Sequence, residues 1–113
     1  DTLHEAKHVE KILYYYYDFL KKNSCFFIDD ISWLPYLKDS DKNRFYAEMN
    51  NYETFIKLLE IYNNNQKNFN IEFTFEGTGI CKIKKLNENK LNLPKNIKSR
   101  NFSVKNLIRK IIK

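Results

Sequence analysis

The spacing of apolar residues in this chain of 113 residues predicts a small α+β domain with one core, followed by a basic extension. Three observations point there. Apolar side chains recur every three or four positions through residue 62, the period of helices packed on one face. The period then drops to two between Phe69 and Phe75, as in a half-buried strand. Glycine and proline occur only twice each, which supplies too few sharp turns for a many-stranded sandwich.

The first helix is expected from about residue 4 to 22, with Val9, Ile12, Leu13, Tyr16, Phe19 and Leu20 on one apolar face. Four tyrosines at 14–17 surround that helix, so some must face solvent or a partner. Asn23 and Ser24 end it, and Cys25-Phe26-Phe27-Ile28 reads as a short strand. Ser32 can cap a second helix, with Asp30 helping to begin it. Pro35 sits within its first turn, where a missing N–H costs little. Trp33, Leu34 and Leu37 give that helix its apolar side. Residues 38–41 interrupt, and a further turn or two carries Phe45, Tyr46 and Met49. Asn50 with Glu53 reads as a capping box opening a third helix, whose buried stripe is Tyr52, Phe55, Ile56, Leu59 and Tyr62. Glu53 and Lys57 form a favourable pair on its exposed side, and the asparagines at 63–65 stop it.

Phe69, Ile71, Phe73 and Phe75 alternate with Asn70, Glu72, Thr74 and Glu76, and residues 80–86 return as the partner strand. A two-residue turn would place Phe73 opposite Lys82, an unfavourable pairing. A three-residue loop at 77–79 places Phe75 opposite Cys81, Phe73 opposite Ile83 and Glu72 opposite Lys84, with Gly79 as the positive-φ residue. Residues 87–101 lack periodicity and read as a linker. A last helix starts at Ser103, with Phe102 stapled onto Leu107; Val104, Leu107, Ile108 and Ile111 form its apolar face. The domain is thus expected over residues 1–86, with a basic linker and amphipathic helix over 87–113.

Helix, short strand, helix, helix and hairpin is the element order of a winged-helix domain. More narrowly, residues 9–86 resemble the LOTUS (OST-HTH) variety, through YDFLKKN in the first helix and FFIDDISWLPYL after it. NYETFIKLLEIY in the third helix and FNIEFTF with GICKIKKL in the wing continue the pattern. The resemblance implies a winged-helix fold and a part in RNA regulation, by touching RNA or by docking on a helicase. Specific reading of a duplex through the third helix is not expected. Its exposed face offers Glu53, Lys57 and Glu60, and two carboxylates would repel phosphates.

Charge is the strongest functional signal. Residues 1–81 hold 9 basic and 13 acidic side chains, whereas residues 82–113 hold 11 basic and one acidic, Glu88. Lysine and asparagine are enriched as under an AT-rich genome, yet that bias did not make the body basic. Lys82, Lys84, Lys85, Lys90, Lys95, Lys98, Arg100, Lys105, Arg109, Lys110 and Lys113 are therefore expected to form a phosphate-contacting ribbon. The tail lacks stacking aromatics apart from Phe102, which favours structured RNA or backbone contacts over a single-strand platform. The expected function is an RNA-binding component of a ribonucleoprotein, ribosome-like or RNA-processing. The alternative is a protein-interaction module docking on a larger complex without nucleic acid. Trp33, Tyr36, Phe45 and Tyr46 would then form the docking patch, provided they are exposed together.

Other chemistry finds little support. His4 and His8 share a helix side but lack the further ligands zinc needs. Asp29 and Asp30 are chain neighbours whose carboxylates point apart. Both glycines belong to one hairpin, leaving none for a phosphate loop, and no nucleophile–base set has context. No enzyme activity, cofactor, metal or small-molecule substrate is expected. Cys25 and Cys81 lack metal-ligand spacing and read as free thiols of a reducing compartment: cytoplasm, nucleus or organelle matrix. No apolar run reaches membrane-spanning length, and no signal peptide is recognised. The terminal helix is too narrow in its apolar face for a membrane anchor and is expected to pack on the body or a neighbour. A start without methionine and a stop inside a helical pattern suggest a fragment or processed product.

Overall fold

The computed structural model describes residues 5–36 and 42–92. They form α1 (Ala6–Tyr17), β1 (Cys25–Asp29), a 3-10 turn (Leu34–Tyr36), α2 (Lys42–Asn63), β2 (Phe69–Thr74) and β3 (Ile80–Lys85). The strands make one antiparallel sheet in the order β1-β3-β2, so the chain's last strand lies in the middle. The result is a small α+β domain. Leu13 and Tyr17 from α1, Leu58 and Ile61 from α2, and Ile28, Ile31, Phe69, Cys81 and Ile83 beside them form the core.

α1 ends at Tyr17, earlier than its apolar spacing suggests. The next residues tighten, with Phe19 and Leu20 donating to the carbonyls of Tyr16 and Tyr17. Asn23, at φ +72°, then redirects the chain into β1, a left-handed conformation that asparagine tolerates. Because Phe19 lies beyond the helix, helical projection misplaces it: Tyr17 enters the core, while Tyr16 and Phe19 face outward.

The second and third helices expected from the sequence take another form. Ser32 does cap, accepting a hydrogen bond at Oγ from the Leu34 amide at 3.3 Å, but it caps a single 3-10 turn containing Pro35. Asp30 begins no helix; at φ +57° it ends β1. α2 runs unbroken through Asn50, so the expected capping box with Glu53 opens nothing. No glycine or proline interrupts residues 42–63, and asparagine inside a helix costs only a few tenths of a kcal/mol more than average, roughly 0.7 relative to alanine. Asn51 is instead buried and donates from Nδ2 to the Ser32 carbonyl at 2.8 Å. The buried stripe of α2 is accordingly Asn51, Thr54, Leu58 and Ile61, one position off the aromatic stripe read from sequence. Phe55 packs sideways with Trp33, Phe73 and Phe75, and Tyr52 covers the Trp33 ring. Lys57 is buried too, its ammonium 3.1 Å from Glu10 of α1 and 3.9 Å from Glu60, not on the exposed side with Glu53. α2 stops at Asn63, where the asparagines begin.

The hairpin register differs from expectation by two residues. Phe73 faces Cys81, Ile71 faces Ile83 and Glu72 faces Lys82, leaving residues 75–79 as the loop. A shift of two keeps every side chain on its expected face. Its cause is Ser32, whose Oγ donates to the Phe75 carbonyl at 3.2 Å and whose amide donates to the Thr78 carbonyl at 2.8 Å. These bonds draw residues 75–79 out of the ladder and against residues 30–32. Gly79, at φ +85°, has no room for a Cβ, which would sit 2.8 Å from the Ser32 Cβ and amide nitrogen.

Residues 87–92, expected as the start of a linker, are held to the body by asparagines. Asn65 Oδ1 accepts from the Asn92 amide at 2.7 Å while its Nδ2 donates to the carbonyls of Ile61 and Asn92. Asn68 donates to Asn65 Oδ1, and its own Oδ1 accepts from Asn87 and Asn89. Tyr14 of α1 donates its hydroxyl to the Asn92 carbonyl at 2.7 Å. Leu91 packs on the core.

Candidate nucleic-acid interface

The wing lysines sit on the central strand, where alternation decides their fate. On β3, Cys81, Ile83 and Lys85 point inward, and Ile80, Lys82 and Lys84 point to the open face. Across the strands, Lys84 lies between Cys25 and Asn70, and Lys82 between Phe27 and Glu72. Among the described residues Lys82, Lys84 and Lys90 form no ion pair with a carboxylate of this chain. Lys90 is exposed on the segment that leads out of the domain.

Lys85 is a correction. Only 2% of it is exposed, and its ammonium donates to the carbonyls of Leu20 at 2.9 Å and Tyr17 at 3.2 Å. It lies 4.8 Å from the centroid of the Tyr17 ring and 3.8 Å from Glu88. The cation thus satisfies carbonyls left open where α1 ends, and no phosphate reaches it. Lys95, Lys98, Arg100, Lys105, Arg109, Lys110 and Lys113 lie outside the described residues, as do Phe102 and the terminal helix.

The expected protein-docking residues do not come together as an exposed patch. Trp33 is half-buried, ring to ring with Tyr52, Phe55 and Phe75 at 4.9, 5.1 and 5.7 Å. Tyr46 is half-buried on α2, and the side chains of Tyr36 and Phe45 lie outside the described set.

Compared with family models, curated proteins and solved structures, the chain matches none.

Exposed aromatics occur elsewhere, on α1. Tyr15, Tyr16 and Phe19 are 64%, 51% and 72% exposed. Tyr15 lies 5.0 Å from Tyr16 and 5.6 Å from Phe19, centroid to centroid. The run of four tyrosines signalled that some would face outward, but not which. That choice follows from Tyr17, whose hydroxyl donates to the Asn68 carbonyl at 3.1 Å inside the core.

Cys81 is buried, and burial pushes its thiol up to about 12, so it stays protonated and inert. Cys25 is half-buried on the opposite face of the sheet, so the two thiols cannot pair. Among the described residues no three His, Cys, Asp or Glu side chains cluster as metal ligands, and His4 falls outside that set. No helix among them is long and apolar enough to cross a membrane.

Proposed function

We propose that this chain binds RNA, mainly through phosphates, as one component of a ribonucleoprotein assembly. Lys82, Lys84 and Lys90 and the basic residues from Lys95 to Lys113 carry the contacts, without Lys85. The observation that carries the reading is charge segregation: ten of the formal charges beyond residue 81 are uncompensated there, while the body before it is acidic. Such a segment repels itself until a polyanion neutralises it. We further propose that the domain is winged-helix-like, with β2 and β3 as the wing. Helix, short strand, helix and hairpin in that order support this, although the helix expected over residues 32–37 is reduced to a 3-10 turn in its described part. The asparagine corner gives the extension a defined exit from the body at Asn92.

The test is a salt series. Replacing Lys95, Lys98 and Arg100 by alanine is expected to weaken binding to RNA homopolymers regardless of sequence. The slope of log K against log salt should fall by about 2 for a single strand. An unchanged slope removes these three residues as phosphate contacts.

A further inference from the structure

The exposed rings of α1 are surrounded by cations. Lys7 and Lys11 precede Tyr15 at four-residue steps, on the same side of the helix. Lys21 and Lys22 follow Phe19 closely, and all four lysines are exposed. Among the described residues none of these four ammonium groups forms an ion pair with a carboxylate. Asp18 is the exposed acid in their midst, whereas Glu10 turns away to the buried Lys57. The segment that leads into the basic extension runs beside this patch. Glu88 accepts from the Lys22 amide at 3.2 Å, and Asn92 is held by the Tyr14 hydroxyl at 2.7 Å. Residues 88–92 therefore join the end of α1 to the root of the cationic extension.

Three contiguous rings with flanking lysines suit a ligand that alternates flat faces with anions. We infer that Tyr15, Tyr16 and Phe19 form a stacking platform for unpaired bases, with Lys7, Lys11, Lys21 and Lys22 placed for the intervening phosphates. The ligand is single-stranded RNA. A duplex offers the platform nothing, since its bases are already stacked, whereas any unpaired base has a face to give. The inference rests on the RNA reading above and narrows it. The extension supplies long-range attraction to any RNA, and α1 selects single-stranded segments. The tail's lack of stacking aromatics is thereby made good by the body.

The experiment uses the full chain with fluorescently labelled oligouridine and with an RNA duplex of equal length. Two double variants are compared, Tyr15→Ala with Phe19→Ala and Tyr15→Leu with Phe19→Leu. The second keeps apolar area while removing the ring faces. Thermal melting serves as a check on folding, since both positions are exposed. Both variants are expected to bind oligouridine more weakly by roughly tenfold or more, with duplex affinity and salt slope unchanged. Unchanged oligouridine affinity, or an equal loss on both RNAs, overturns the platform and leaves the RNA reading standing. So does binding to anionic vesicles or to a protein that the leucine variant keeps and the alanine variant loses, if oligouridine affinity survives in both. A native chain with no salt-sensitive affinity for either RNA overturns both readings together.

Discussion

Lys85 sits in a stretch rich in lysines, yet its ammonium closes the end of α1 from inside the domain. Lys85→Met keeps the stem and removes the donor, leaving the Tyr17 and Leu20 carbonyls without it. The expected cost is about 2 kcal/mol in denaturant unfolding, with an unchanged salt slope for RNA. A loss of slope without loss of stability would reassign Lys85 to the interface. The strand's alternation contained this signal, because Lys85 shares a face with Cys81 and Ile83; charge alone concealed it. Three other side chains set a limit at high pH. Burial, aided by Glu10, pushes the Tyr14 hydroxyl from 10.0 up to about 12. Burial, then Glu88 and Asp18, does the same for Tyr17. Cys81 rises by burial from 9.0 to about 12. Each raised value means that the folded protein prefers the protonated form. Their stabilisation is complete below pH 9 and is lost as pH climbs to about 12. Denaturant unfolding followed across that window should show the decline; stability that holds steady to the top of it would contradict the assignment.

At the scale of elements, loops and corners fix the geometry. Gly77 and Gly79 both have positive φ, but only Gly79 meets a neighbour. Gly77→Ala is expected to cost about 1 kcal/mol for its backbone conformation alone. Gly79→Ala should cost clearly more, since Ser32 backbone would have to shift; equal costs in thermal or denaturant melts would argue against the contact. Asn65→Ala breaks the bonds that hold Asn92 and should cost about 3 kcal/mol, with faster amide exchange at Asn92. Normal exchange there would mean the corner is held otherwise. These features also mark where sequence reading stops. Strand alternation revealed β2 and β3 and the faces of their side chains, because a half-buried sheet needs that pattern. The short run at Cys25 and the end of α2 at the asparagines were legible for the same kind of local reason. Helix bounds were not. Asn51, Thr54 and Lys57 are polar yet buried, each justified by a partner or packing far away in sequence, so the apolar stripe pointed about one residue astray. The hairpin register depended on Ser32, more than forty residues from its Phe75 partner, and no local rule reports it.

For the whole molecule, an acidic, aromatic-rich body holds the root of a basic extension at a defined corner. Asparagine, which composition alone would dismiss as codon drift, builds that corner. The sequence exposed the charge split fully, because it requires only counting. It did not reveal the α1 patch, since deciding which tyrosines face outward requires knowing where Tyr17 is buried. The open face of the sheet with Lys82 and Lys84 and the patch on α1 leave the two layers of the domain each with free cations. The account stands on polyanion meeting the cationic third of the chain, and the salt dependence of RNA affinity tests that most directly. For the native chain on an RNA homopolymer, log K should fall linearly with log salt, with a slope of several units at about 0.7 for each phosphate neutralised. A slope near zero, or no measurable association even at low salt, would contradict it.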